Sequence, residues 1–304
     1  MFLPPRDFAR SPEALARSWP SPEASAYTRW LATRHYENFH VVTFLLPKSL
    51  HQDFYNVYAF CRWADDLGDE IGDAAESLRL LGWWRGEVEA MYAGRASHPV
   101  FVALRETVGR RALPKEPFLD LIRAFERDQT VARYRTWDDL FDYCRYSANP
   151  VGRLVLHLFG YSDEDRQRLS DATCTALQLA NFWQDVAVDL DKGRIYLPLE
   201  VLDRHGSSEA EVLSHAATPA FRAAMKEAVA AARRLFLEGL PLAAKVHRRL
   251  AVDVELFSRG GMRILDKIER QNFDVFSRRP AISKAERAWL LLRALARSVF
   301  AKAA

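Results

Sequence analysis

Residues 61–70 read "CRWADDLGDE" and place four carboxylates within six positions, directly after the apolar run "FYNVYAF" at 54–60. An ionised carboxylate taken out of water is costly unless a cation or a donor compensates it. On a helix, Asp65 and Asp69 stand four apart and point to one side, and Arg62 joins that face. Asp66 and Glu70 form a neighbouring pair at the same spacing. Taken alone, such a stretch reads as a solvated helix face.

A second stretch, "LQLANFWQDVAVDLDKGRIYLP" at 177–198, changes that reading. Gln178, Asn181, Asp185 and Asp189 follow one another at steps of three, four and four. One helical face therefore carries two amides and two carboxylates, bordered by Leu, Phe, Trp and Val. A polar stripe on a mostly buried helix needs internal partners. Two such faces, each with an i, i+4 aspartate pair, would oppose each other across a bundle core. Oxygen-only ligands favour a hard cation such as Mg²⁺ over zinc, and Mg²⁺ completes its shell with water and substrate phosphate. Metal and a phosphorylated ligand would then neutralise the acids.

The rest of the chain supports a helical frame. It has 304 residues, 49% hydrophobic and 27% charged, which is globular composition with material for a large core. Its net charge of +3 is spread along the sequence, so nucleic-acid binding is not indicated. The cysteines Cys61, Cys144 and Cys174 lack metal or disulfide spacing and read as buried thiols in a reducing compartment. The Pro- and Arg-rich start has no apolar h-region, and no apolar run approaches the roughly 18 residues of a membrane span. A cytoplasmic protein is expected.

Helical periodicity runs through 21–39, 49–70, 74–92, 98–109, 116–130, 136–158, 162–190, 219–236, 241–271 and 282–301, with breaks at "ALPKEP", "GRIYLPLE", "HGSS" and "SRRPA". The expected architecture is all-α: an irregular segment over 1–20, then one helical domain over 21–304.

The two aspartate-rich stretches resemble those of the squalene/phytoene synthase family. "YCRYSANPVGRLVL" (143–156) resembles that family's tyrosine-containing helix. "RHYENFHVVTFLLP" (34–47) and "GGMRILDKIERQNFDVFSRRP" (260–280) resemble its flanking motifs. The resemblance spans roughly residues 25 to 280, with five motifs in the family's order. It implies an isoprenoid synthase bundle around a deep apolar cavity, in which Mg²⁺ draws diphosphate from prenyl carbon. By motif, Asp65, Asp69, Asp185 and Asp189 would bind metal and diphosphate. Arg62, Arg194 and Arg278 would meet phosphate oxygens, while Gln178 and Asn181 would support the second metal face. Tyr143 corresponds to the active-site tyrosine, and a core tyrosine is an equal reading of it. His35 and Phe39 would lie at the cavity mouth and wall. Phe60, Phe182 and Trp183 are candidates for stabilising a carbocation, although aromatics at helical spacing are usually core.

Four departures point within the family. Gln184–Asp185 stands where many members have Arg–Asp, "SANPVG" replaces the usual Ala–Gly, "HYENF" carries Glu37 and Asn38, and Gly261 replaces a common Tyr. Together they resemble the bacterial hopanoid-pathway branch, which converts presqualene diphosphate to hydroxysqualene. Glu37, Tyr36 or Gln184 would position the attacking water. The absence of a GxGxxG fingerprint gives no reason to expect NADPH. Two other readings stand beside this one: head-to-head condensation of prenyl diphosphates, and a non-catalytic helical partner protein, against which all four aspartates argue. The C-terminal "ERAWLLLRALARSVFAKAA" (286–304) is amphipathic and basic, which suits either packing on the bundle or peripheral contact with anionic lipid.

Overall fold

Helices in this chain begin where the sequence supplies oxygen to their first free N–H groups. Asp73 accepts from the Glu76 N–H, Asp163 from Arg166 and Thr218 from Phe221, and Thr136 with Asp139 forms a reciprocal capping box. The computed structural model describes residues 2–34 and 46–300, with side chains described to residue 294. The described chain divides into two compact units, Met1–Thr130 with Arg153–Ser162, and Val131–Gly152 with Asp163–Ala304.

The first unit holds α1 (Pro5–Ala9), α2 (Pro12–Ala16), α3 (Ser21–Arg34), α4 (His51–Asp69), α5 (Ala74–Tyr92), α6 (Pro99–Arg111) and α7 (Glu116–Asp128). Residues 1–20 are thus not irregular. Proline opens each of the two short helices, and Phe8, 1% exposed, packs its ring 5.3 Å from that of Trp63. The core is aromatic: Trp63 stacks on Trp84 at 4.9 Å, and the Phe60 and Phe118 rings meet edge to face at 4.9 Å. Trp63 Nε1 donates to the Tyr27 hydroxyl at 3.0 Å. Phe60 is fully enclosed in this packing, which accounts for it as core.

The chain continues through α8 (Trp137–Ser147), α9 (Asn149–Leu158), α10 (Glu164–Gln184), α11 (Val186–Asp191), α12 (Leu199–Arg204), α13 (Glu209–Leu213), α14 (Pro219–Gly239), α15 (Leu242–Lys245), α16 (Arg248–Arg270) and α17 (Lys284–Phe300). Three stretches expected to be single helices are each two. The breaks fall at Ala148, before Pro150 removes a backbone donor, at Asp185 (φ −108°, ψ 15°) and at Val246 (φ −123°, ψ 166°). In the second unit α10 packs on α14 and α16, and α16 on α17.

Gly152 and Gly261 permit close approach there. A Cβ at Gly152 would lie 2.3 Å from Ser170 Oγ and 2.5 Å from Cys174 Sγ. At Gly261 it would lie 2.1 Å from Phe236 Cζ. The space a side chain would take at 261 is filled by the Phe236 ring of α14. No described helix is long and apolar enough to cross a membrane.

Candidate active site

The first aspartate face closes α4. The turns that bury Phe60, Trp63 and Leu67 leave Tyr58, Arg62, Asp65 and Asp69 on an adjoining stripe at helical spacing. Asp65 is half-exposed and Asp69, the last helical residue, is exposed, so these acids lie at the edge of the packed interior. Arg62 Nη1 stands 3.3 Å from Asp65 Oδ2, and Arg62 Nη2 pairs with Asp66. Asp66 is the buried member. Burial pushes its carboxyl up to about 6, with Arg62 pulling the other way and Asp65 adding to the rise.

The second face lies where α10 gives way to α11. Gln178 is half-buried and Asn181 exposed. Asp185 caps α10, and although its backbone leaves the helical region, its carbonyl accepts from the Asp189 N–H at 2.8 Å. The two carboxylates therefore keep their i, i+4 relation across the break. Arg194 is drawn to the same turn, its N–H bonding the Asp189 carbonyl at 2.8 Å. Asp185 meets a cation from far along the chain: the Arg279 guanidinium takes both its oxygens, Nε to Oδ1 and Nη2 to Oδ2 at 3.0 Å. Next to it, Gln184 Nε2 donates to the Pro280 carbonyl at 2.6 Å, which fixes the amide and leaves its second N–H and its Oε1 to meet a water. Arg278, the candidate named from the sequence, is exposed and ties its carbonyl to Gln271 Nε2 at 2.8 Å. Arg279 was missed because nothing local separates two adjacent arginines; the turn built by Asp274 and Pro280 does.

Tyr143 on α8 is 3% exposed and sits in an aromatic nest with Tyr134, Phe182 and Tyr196, at ring separations of 5.3, 6.1 and 5.9 Å. Phe182 and Tyr196 stack at 3.7 Å with planes 5° apart. Tyr134 and Tyr196 were not singled out from sequence. Trp183 is buried and spends its Nε1–H on the Ala228 carbonyl at 3.1 Å, as a core residue does. His35, Glu37 and Phe39 lie outside the described residues, as does Tyr36.

Among the described residues, no three acidic, histidine or cysteine side chains stand close enough to hold a metal by themselves. Each aspartate pair offers two carboxylates and no nitrogen or sulfur. That donor set fits Mg²⁺, which is commonly held by one or two carboxylates and takes its remaining oxygens from water and phosphate. A guanidinium on Asp185 and another on Asp65 mark both as sites that already attract positive charge.

The squalene/phytoene synthase profile matches residues 32–286. Hydroxysqualene synthase of Rhodopseudomonas palustris is 34% identical over 244 residues, covering 79% of this chain and 82% of that protein. Phytoene synthase of Thermus thermophilus is also 34% identical, over 262 residues, covering 86% and 88%. The crystal structure of squalene synthase HpnC from Alicyclobacillus acidocaldarius superposes with a TM-score of 0.80 at 45% identity, covering 88% of this chain and 98% of that one. Both aspartate faces, the aromatic nest and the Arg279 turn fall inside the matched span, and the chain belongs to the squalene/phytoene synthase family.

Proposed function

We propose that this protein converts presqualene diphosphate to hydroxysqualene. The carbon–oxygen bond to diphosphate breaks with its electron pair leaving on the diphosphate. Water then forms the new carbon–oxygen bond and gives up a proton. The observation that carries this reading is the neutral residue before Asp185: Gln184, which donates to the Pro280 carbonyl, stands where many members of the family have an arginine. A site with one fewer phosphate-facing cation suits ionisation of a preformed intermediate and admission of water.

Bound Mg²⁺ would offset the negative charge that grows on the leaving diphosphate. Asp65 with Asp69, and Asp185 with Asp189, would each offer such an ion a carboxylate pair, with water and diphosphate oxygens completing its shell. Arg62 and Arg194 would contact phosphate oxygens, where a guanidinium fork is well matched. Tyr143, Phe182 and Tyr196 would present aromatic faces to a carbocation and keep bulk water out. Glu37, Tyr36 or Gln184 would orient the attacking water. No reductant is required, because the product carries a hydroxyl where reduction would leave hydrogen.

A second reading, head-to-head condensation of two prenyl diphosphates, is favoured by the equal identity to a phytoene synthase. One experiment separates the two. The protein is incubated with Mg²⁺ and either presqualene diphosphate or farnesyl diphosphate, without reductant, and the lipid is identified by mass. Hydroxysqualene from the first substrate and nothing from the second supports the proposal; turnover of farnesyl diphosphate alone overturns it.

The substrate and product are greasy, and α17 suits a membrane surface. Leu290 and Ala294 are buried, while Trp289 is 55% and Leu292 67% exposed, with Arg287 and Arg293 exposed beside them. Tryptophan with flanking arginines fits an anionic lipid headgroup layer. Trp289→Ala with Leu292→Ala should abolish co-sedimentation with phosphatidylglycerol vesicles, and undiminished binding would end the idea.

A further inference from the structure

The segment between α16 and α17 is fastened at many points. Asp274 accepts from the Ser277 N–H at 3.0 Å, from the Phe276 N–H at 3.2 Å and from Ser277 Oγ at 2.8 Å. Phe276 packs 4.7 Å from Phe221 and 5.2 Å from His215, and Pro280 is buried. Downstream, Ser283 and Glu286 form a reciprocal cap, and Glu286 pairs with Arg263 at 2.8 Å and Lys267 at 2.9 Å. A strap so anchored delivers Arg279 to one place. Its guanidinium covers both oxygens of Asp185, while Gln184 grips the next residue's carbonyl.

We propose that Arg279 is an exchangeable counter-cation: it holds Asp185 until divalent metal arrives, then gives up the carboxylate and takes diphosphate oxygens instead. This rests on the metal–diphosphate reading above but not on which prenyl substrate is used.

The argument is one of shared oxygens. A bidentate guanidinium leaves neither oxygen of Asp185 with its preferred direction open, and a second cation on the same carboxylate would meet the first at short range. Metal binding at Asp185 is therefore an exchange, and its apparent affinity is lowered by the fraction of molecules in which Arg279 is seated. The pair is accessible enough to exchange, since the Arg279 side chain is 53% and that of Asp185 26% exposed. Once released, the guanidinium stays tethered by Pro280 beside the metal it made way for. An arginine fork there matches a diphosphate that shares the same metal. Arg279 would then link the two ligands: metal alone must overcome it, and metal with diphosphate gives it a new partner.

Calorimetry with Mg²⁺ alone, and with inorganic pyrophosphate at saturating Mg²⁺, tests this on the full chain. Arg279→Gln should bind Mg²⁺ alone about fivefold more tightly than the parent, the gain expected when a half-exposed bidentate pair no longer competes. The same variant should bind pyrophosphate about tenfold more weakly. Arg279→Lys, which keeps the charge and loses the fork, should fall between the two in both titrations. Unchanged or weaker Mg²⁺ binding in Arg279→Gln overturns the exchange, as does unchanged pyrophosphate binding. If the parent binds neither Mg²⁺ nor pyrophosphate, the metal–diphosphate reading falls and takes this one with it; a wrong choice of prenyl substrate would leave both titrations as stated.

Discussion

The two aspartate faces obtain their compensating charge in different ways. On α4 the cation is local: Arg62 sits three residues before Asp65 and four before Asp66. At the α10–α11 junction it comes from 94 residues away, through a strap that carries Arg279 to Asp185. The first arrangement is a property of one helix and forms with it. The second exists only when α16, the strap and α10 are in register, so it reports on the assembled site. Local pairs keep a helix soluble and ordered; a distant pair can be made to depend on ligand.

The largest effect should come from removing the carboxylates themselves. Asp65→Asn and Asp185→Asn should each lower turnover of presqualene diphosphate about a thousandfold, as expected for direct ligands of a metal on the leaving group. If steady-state kinetics show one variant near parental activity, the two faces do not share a role and the comparison breaks.

A buried carboxylate in each unit sharpens it next. Asp53 on α4 is 1% exposed and is held by Arg110 Nη2 at 2.6 Å, Arg111 Nε at 2.9 Å and Thr107 Oγ1 at 2.9 Å. Burial pushes its carboxyl up, but the three donors outweigh that and leave it below its ordinary value. Asp253 on α16 is 2% exposed, neither oxygen has a hydrogen-bond partner among the described residues, and burial pushes it up to about 8. Asp53→Asn should cost about 3 kcal/mol in urea denaturation, because two arginines lose their anion. Asp253→Leu should gain about 1–2 kcal/mol at pH 8.

The pH signs are opposite. Asp53 contributes stability that is present above the unfolded carboxylate value and is lost as pH falls through its lowered folded one. Asp253, raised in the folded state, holds a proton that the unfolded chain releases. Its effect is a stability that declines as pH climbs from about 4 to about 8 and then levels. Asp253→Leu should flatten that slope in thermal melts at pH 5 and pH 8; an unchanged slope would assign it to another group.

Gly261→Ala should destabilise the second unit by about 1–3 kcal/mol, since the new methyl meets Phe236 Cζ at 2.1 Å. Adding Phe236→Leu should recover most of that loss. The smallest effect is local: Arg62→Gln should move Asp66 further above about 6 in an NMR titration, because a cation that lowers it is gone. No movement would mean that Arg62 does not lower its value.

How far the sequence foretold this follows from the same contrast. Features within a few turns of one helix were legible: the Asp65–Asp69 and Asp185–Asp189 pairs, the Arg62 contact and the extent of α5 were read from spacing. Features set by long-range packing were not. The bond from Gln184 to the Pro280 carbonyl joins residues 96 apart, and no local spacing announces it. That Arg279, the neighbour of the candidate Arg278, is the arginine paired with Asp185 depends on the folded strap. The α10 break at Asp185 was hidden because apolar periodicity runs on through Val186 and Leu190. The short helices before residue 20 were missed because five residues carry little periodicity, and what holds α1 is Phe8 packing on Trp63, a contact distant in sequence.

The most direct test of the account is diphosphate release from presqualene diphosphate by the parent protein, measured with Mg²⁺ and again after EDTA. Release with Mg²⁺, its loss on chelation and its return on adding Mg²⁺ back are expected. Release that continues undiminished in EDTA would contradict a site in which aspartates act through a divalent cation.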